Sequence, residues 1–474
     1  MTTPPFADRR APVEFVLPMQ KVLDHIRGQR DGYVEELGEF LAIPSVSTDP
    51  ARAGDVRRCA EYCRDRLSGI GFSQAELIDT DGHPVVYAEW LDAPEAPTVL
   101  FYGHYDVQPV DPIDLWTTPP FEATVRDGRI FARGSADDKG QVFAHWKAWE
   151  AHLAAHGRLP CNVKVLIEGE EEIGSEHLMP FIEANQERLA ADVVMISDSP
   201  MFAAGVPSLC YGLRGLCYME IHVQGARSDL HSGSFGGAVA NPALALAEIL
   251  ATLKDHERHV SIEGFYDRVR PISDEERSEF RKLPFDESAY RRELGVSELE
   301  GEAGFTTLER IWARPTLDVN GIVSGFTGQG AKTVLPARAS AKVSMRLVPD
   351  QDPDQIAELF RHHVETVSPS GVTVRVETLH GTRPYLAPID HPANQAARRA
   401  LEKAFKADAV MTREGGSIPV TTTFQERLGV TSILMGFGTP DENAHAPDEN
   451  LVLENFHGGI VTAAHFYNEY ARTD

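Results

Sequence analysis

Apolar and polar positions follow two periods along this chain. From about Val22 to Ile43 the apolar residues recur at helical spacing. Val34, Leu37, Phe40 and Leu41 share one side, and Pro44 helps to end the run. Thr98–Tyr102, Val163–Ile167 and Val193–Ile196 are short continuous apolar runs, the pattern of buried strands. Between the first two lies a helical stretch, Gln141 to His156. Val142, Trp146, Trp149 and Leu153 step along one face, and Gly157 stands where a C-terminal cap belongs. Strands alternating with helices of this length predict a largely parallel sheet flanked by helices, an α/β fold.

The pattern changes near Leu213. Cys217–Val223 is β-branched and aromatic at short spacing. Asn241 and Pro242 have the chemistry of an N-cap and first helical residue, and Leu246, Ile249, Leu250 and Leu253 form a stripe behind them. A polar stretch from about 255 to 310 carries no clear period. Ala339–Val348 then reads as a strand, Ile356–Val367 as a helix and Val372–Leu379 as a strand, so this region forms an α+β unit of its own. From about Pro392 the first pattern resumes, with a helix to Phe405 and a strand at Thr431–Met435. The expected organisation is a discontinuous α/β domain, 1–212 and 389–474, with a second domain, 213–388, inserted. The first fifteen or so residues read as a tail.

Composition narrows the function. Among 474 residues, 71 are acidic and 45 are Lys or Arg, a formal net charge of −26. Phosphate backbones and anionic lipid would repel such a chain, so nucleic acid and membrane surface are not expected partners. No apolar run is long enough for a signal peptide or a membrane span, and a cytoplasmic protein is expected. Cys59, Cys63, Cys161, Cys210 and Cys217 are few, odd in number and scattered, which argues against a disulfide framework. Cys59 and Cys63 would share a helix face as packing residues.

Five candidate ligands follow strand-like runs or precede a helix: His104, Asp137, the Glu170–Glu172 triplet, Asp198 and His445. Singly, each has an ordinary reading: a loop histidine, a helix cap, a solvated acidic turn. Together they fall at the strand and helix ends of one sheet, where open parallel sheets bind ligands. Carboxylates and imidazoles are donors that divalent zinc, manganese or cobalt accept.

These residues carry a family resemblance. Gly103-His-Tyr-Asp-Val-Gln-Pro109, Arg133-Gly-Ser-Ala-Asp-Asp-Lys-Gly140, Glu168-Gly-Glu-Glu-Glu-Ile-Gly-Ser175, Ser197-Asp198, Asp229-Leu-His-Ser-Gly233 and Ser344-Met-Arg-Leu-Val-Pro349 stand in an order that resembles the co-catalytic dizinc metallopeptidases. Within them the match is to the carnosinase-like dipeptidase branch. The resemblance implies two divalent ions per subunit, Zn2+ first and Mn2+ or Co2+ as alternatives. His104 and Asp198 would hold one, Glu172 and His445 the other, with Asp137 between them and a cis peptide after it. Glu171 would be the general base, and Asp106 would orient His104.

The resemblance also implies that His231 stabilises the oxyanion from the partner subunit of a homodimer. Arg346 would grip a C-terminal carboxylate, with Thr333 and Ser417 helping to seat it. The implied activity is hydrolysis of a dipeptide or short peptide with a free C-terminus. The rivals are an N-acyl-amino-acid deacylase or carboxypeptidase on the same scaffold, and a binding protein that has lost catalysis. The helix opening at Pro242 carries more apolar surface than one side of a small two-layer unit needs, which points to dimerisation through the inserted domain.

Overall fold

The structure, a computed structural model, describes residues 17–472; the expected N-terminal tail lies outside them. The chain divides into two compact units. The first runs to Tyr211 and resumes over Ala387–Thr412 and from Thr423 onward; the second comprises Gly212–Leu386 and Arg413–Thr422. Residues 413–422, expected with the first unit, group with the second.

In the first unit the sheet runs in the order Ser73–Ile78, Val85–Trp90, Asn162–Glu168, Thr98–His104, Val193–Ile196, Thr431–Leu434, Ser208–Leu213. The four strands from Asn162–Glu168 to Thr431–Leu434 pair in parallel. Both flanks are antiparallel, so the sheet is mixed. Thr98–His104 is buried beyond its first residue, as expected of a central strand covered on both faces. The helix Lys139–His156 is more enclosed than its apolar stripe suggested. His145, Lys147 and His152 are buried along with Trp146 and Trp149. It packs against Leu453–Tyr470, which packs in turn on Pro392–Phe405.

The N-terminal helical run is two helices, Met19–Gly28 and Arg30–Leu41, divided at Gln29. Gly28 ends the first, and Gln29 leaves helical geometry with φ −111° and ψ 6°. Cys59 and Cys63 share the buried face of Ala53–Ile70, and all five cysteines are buried and outside any disulfide.

The second unit has a four-stranded antiparallel sheet in the order Thr316–Ser324, Arg338–Leu347, Gly215–Gln224, Thr373–Thr382. Alternation decides its faces. Cys217, Met219, Ile221 and Val223, with Val343 and Met345, pack beneath the helices Pro242–Ala251 and Pro353–Val367. The alternate residues, Arg346 among them, point the other way. Asn241 caps Ala243 N–H through its side chain, and Pro242 takes the first helical position. The polar stretch holds three short helices, Asp274–Lys282, Glu287–Glu293 and Thr307–Trp312. The first and third open on reciprocal capping boxes, Ser273 with Glu276 and Thr306 with Glu309.

Candidate metal centre

The parallel strands deliver the site. Thr98–His104 ends on His104, Asn162–Glu168 leads into Glu171 and Glu172, and Val193–Ile196 is followed by Asp198. Asp137 lies in the turn before Lys139–His156, and the Asp137–Asp138 peptide is cis, as the resemblance implied. Asp138, at the N-cap position, makes no side-chain cap; its Oδ2 accepts from His104 N–H at 3.3 Å.

Two groups of potential ligand atoms form, each with all its atoms within 4.8 Å of one another. One is His104, Asp137 and Asp198; the other is Asp137, Glu172 and His445. Asp137 belongs to both, and its two oxygens divide between them. Oδ1 lies 3.1 Å from His104 Nε2, and Oδ2 lies 2.7 Å from His445 Nε2. His104 Nε2 is also 3.9 Å from Asp198 Oδ2, and His445 Nε2 is 3.2 Å from Glu172 Oε2.

Behind the ligand atoms sits Asp106, fully buried. Its Oδ1 is 3.3 Å from His104 Nδ1, and its Oδ2 accepts from Glu172 N–H at 3.2 Å. Its backbone carbonyl is nearer still to His104 Nδ1, at 3.1 Å, so Asp106 orients a member of each group. Glu170 is engaged elsewhere: it accepts from His83 N–H at 3.1 Å and lies 2.9 Å from His177 Nδ1. Glu171 carries no such duty.

The charges fit a cation. Burial pushes Asp198 up to about 7, and the nearby Asp137 carboxylate adds to the rise. Burial likewise holds Glu171 well above the carboxylate range against the pull of His104, with Asp198 and Asp137 reinforcing it. Hydrogen bonds to Asp137 and Glu172 lift His445 to about 10. His104 is raised too: burial opposes the charged form, but the bonds to Asp106 and Asp137 outweigh it. Crowded carboxylates that destabilise one another, beside imidazole nitrogens at ligand spacing, form a donor set that divalent ions complete.

Four expected site residues lie in the second unit, in two pairs. His231 is in a two-residue strand, Leu230–His231, paired with Val334–Leu335. Its ring is exposed, and its Nδ1 accepts from Gly233 N–H at 3.0 Å, which places the proton of the neutral ring on Nε2. Thr333 adjoins it, its carbonyl accepting from Ser232 N–H at 3.1 Å. Arg346 and Ser417 form the other pair, with Nη1 donating to Oγ at 3.3 Å.

The family model described as peptidase family M20/M25/M40 matches residues 100–469. The chain belongs to this family.

Membership makes it an enzyme, a metallopeptidase. The chain is 34% identical to a Cys-Gly metallodipeptidase of Schizosaccharomyces pombe, over 96% of this chain and 99% of that one. It is 33% identical to the human Beta-Ala-His dipeptidase, over 96% and 93% respectively. An M20 family metallo-carboxypeptidase from Sulfolobus solfataricus shares the fold with a TM-score of 0.82 and 36% identity, covering 93% of this chain and 99% of its own.

The sequence pattern gives little sign of two residues that shape this candidate site, Glu449 and Gln108. Glu449 is fully buried. It accepts from Arg133 Nη1 at 2.6 Å and from the backbone N–H groups of Gly134, Ala136 and Asp137 at 2.9, 2.9 and 3.1 Å. It therefore shapes the turn that presents Asp137. Its one sequence signal was a position four residues after His445. Gln108, four residues after His104, donates to Glu172 Oε2 at 2.7 Å.

Proposed function

We propose that this chain is a two-metal dipeptidase that hydrolyses the amide of a dipeptide or short peptide with a free C-terminal carboxylate. The observation that carries this reading is the division of Asp137, whose two oxygens face two separate imidazole–carboxylate sets. His104 and Asp198 would hold one ion and Glu172 and His445 the other, with Asp137 offering an oxygen to each. Bound divalent ions, zinc foremost and manganese or cobalt as alternatives, polarise the scissile carbonyl and acidify water.

The chain's own groups do the rest. Glu171 takes the proton of the attacking water and returns it to the leaving amine. Asp106 keeps the His104 imidazole in one orientation. His231, from the partner subunit of a homodimer, offers its Nε2–H to the developing oxyanion. Arg346, helped by Thr333 and Ser417, receives the terminal carboxylate in a charge-assisted bond. Five buried thiols outside any disulfide agree with a cytosolic setting.

The names of the two curated relatives specify dipeptides, which favours that class over N-acyl amino acids. The test is metal analysis of the protein, followed by a panel of dipeptides, tripeptides and N-acyl amino acids on the metal-loaded form. Two ions per chain and turnover of free-acid dipeptides are expected. Turnover confined to N-acyl amino acids overturns the reading.

A further inference from the structure

Arg214 is a charged residue in an otherwise apolar run, Tyr211-Gly-Leu-Arg-Gly-Leu-Cys217. It occupies the single position between the strands Ser208–Leu213 and Gly215–Gln224. Its Nε donates to the Gly415 carbonyl at 3.3 Å, while its Nη1 is buried without a hydrogen-bond partner. Gly415 has no side chain where the guanidinium lies: a Cβ there would stand 2.8 Å from Arg214 Nη2.

Ser417 links Arg214 to Arg346. The Ser417 hydroxyl accepts from Arg346 Nη1 at 3.3 Å and donates to the Arg214 carbonyl at 2.5 Å. Burial lowers Arg214 to about 10, and the positive charge of Arg346 adds to the fall. Neither arginine has an ion pair among the described residues. The one carboxylate that acts on both, Asp318, is 63% exposed and faces Lys254 at 3.7 Å. Two neighbouring half-buried guanidiniums, one with a buried and orphaned N–H, make an unfavourable arrangement that an anion would relieve.

We propose that Arg214 supplies a second guanidinium to the seat that Arg346 and Ser417 begin, and that it sets the preference for a substrate whose C-terminal end is ionised. This rests on the reading that Arg346 receives the substrate carboxylate. One fork can take a carboxylate by two parallel bonds; a second cation at its side strengthens the discrimination against a neutral end. Gly415 is part of the device, because any side chain there displaces the Arg214 fork. The simpler alternative makes Arg214 only a brace for the 413–422 segment through its bond to Gly415.

The experiment measures kcat and KM for a dipeptide and its C-terminal amide on the metal-loaded full chain. The variants are Arg214→Met, Arg214→Lys and Gly415→Ala. For wild type, the free acid is preferred over the amide. In Arg214→Met the KM for the acid rises roughly tenfold to a hundredfold, while the amide changes by no more than about twofold. Arg214→Lys restores part of the preference, since it keeps the charge and loses the fork. Gly415→Ala raises the acid KM with the arginine still present, and it carries the test should Arg214→Met fold poorly. Equal losses for acid and amide in Arg214→Met and Gly415→Ala, or an unchanged acid-to-amide ratio, overturn the proposal in favour of the brace. A wild-type enzyme that does not distinguish acid from amide overturns the underlying reading of Arg346 instead.

Discussion

In the first unit, Asp106 is fully buried and holds His104 on one side and the backbone of Glu172 on the other. In the second, His231 stands exposed on a two-residue strand, its ring held by one hydrogen bond from Gly233. The first arrangement sets the positions of His104 and Glu172 before any substrate arrives, because the side chain between them is fully enclosed. The second leaves the His231 ring at the surface, with a single hydrogen bond to fix it. Such groups acquire their function when something else, a substrate or a second subunit, completes the surroundings. Chemistry that needs fixed distances is built in the interior, and chemistry that must admit and release a ligand is left at the surface.

Three measurements sharpen or break this contrast. The largest effect is expected in the rigid half. Glu171→Gln keeps the size of the side chain and removes its proton acceptor, so kcat falls by about 10²–10⁴ while metal content, read by elemental analysis, stays at wild-type level. Loss of activity in Glu170→Gln with Glu171→Gln still active would reverse the assignment within the triplet.

The next tests the open half. His231→Ala and Glu171→Gln are each expected to be inactive alone. Mixed under verified subunit exchange, about half the dimers would carry one intact site of two, restoring about a quarter of wild-type activity. No recovery means that His231 acts within its own chain or has no catalytic part.

The smallest effect concerns acid. Burial lowers His145 to about 3 and His152, His457 and His465 to about 4, and all four lie in the first unit. Their folded values sit below the unfolded value of about 6.5. The unfolded chain therefore binds more protons as pH drops, and stability is full above about 6.5 and declines as pH falls from there through about 4. Urea unfolding at pH 7.5 and 5.0 should show a smaller acid loss in His152→Gln and His465→Gln than in wild type. Equal losses would show that these rings do not titrate with folding.

Much of the candidate metal centre is legible because a parallel sheet gathers the ends of its strands. His104, Glu172 and Asp198 follow apolar runs that strands alone explain, and they meet although nearly a hundred residues separate the first from the last. Glu449 was not legible. Its partner Arg133 lies 316 residues away, and nothing local distinguishes it from the other acidic residues of its segment. Arg214 was overlooked for the opposite reason: its anomaly is local, a charge amid apolar neighbours, but its meaning depends on Arg346 and on the segment that carries Ser417. The helices of the polar stretch could have been found. Ser273 with Glu276 and Thr306 with Glu309 are capping boxes in plain view, without the long apolar period by which helices were sought. The break at Gln29 was masked because the apolar spacing continues across it.

The support that Glu449 gives to the Asp137 turn also has a consequence in time. A ribosome makes the chain from its N-terminus, and His104, Asp137, Glu172 and Asp198 emerge long before residue 449. Until then the N–H groups of Gly134, Ala136 and Asp137 lack their common acceptor, and Arg133 lacks its counter-charge. His445 arrives in the same late segment. The growing polypeptide thus carries most of the candidate ligands before the group that shapes the Asp137 turn exists, and the turn gains its acceptor only after residue 449 has been made.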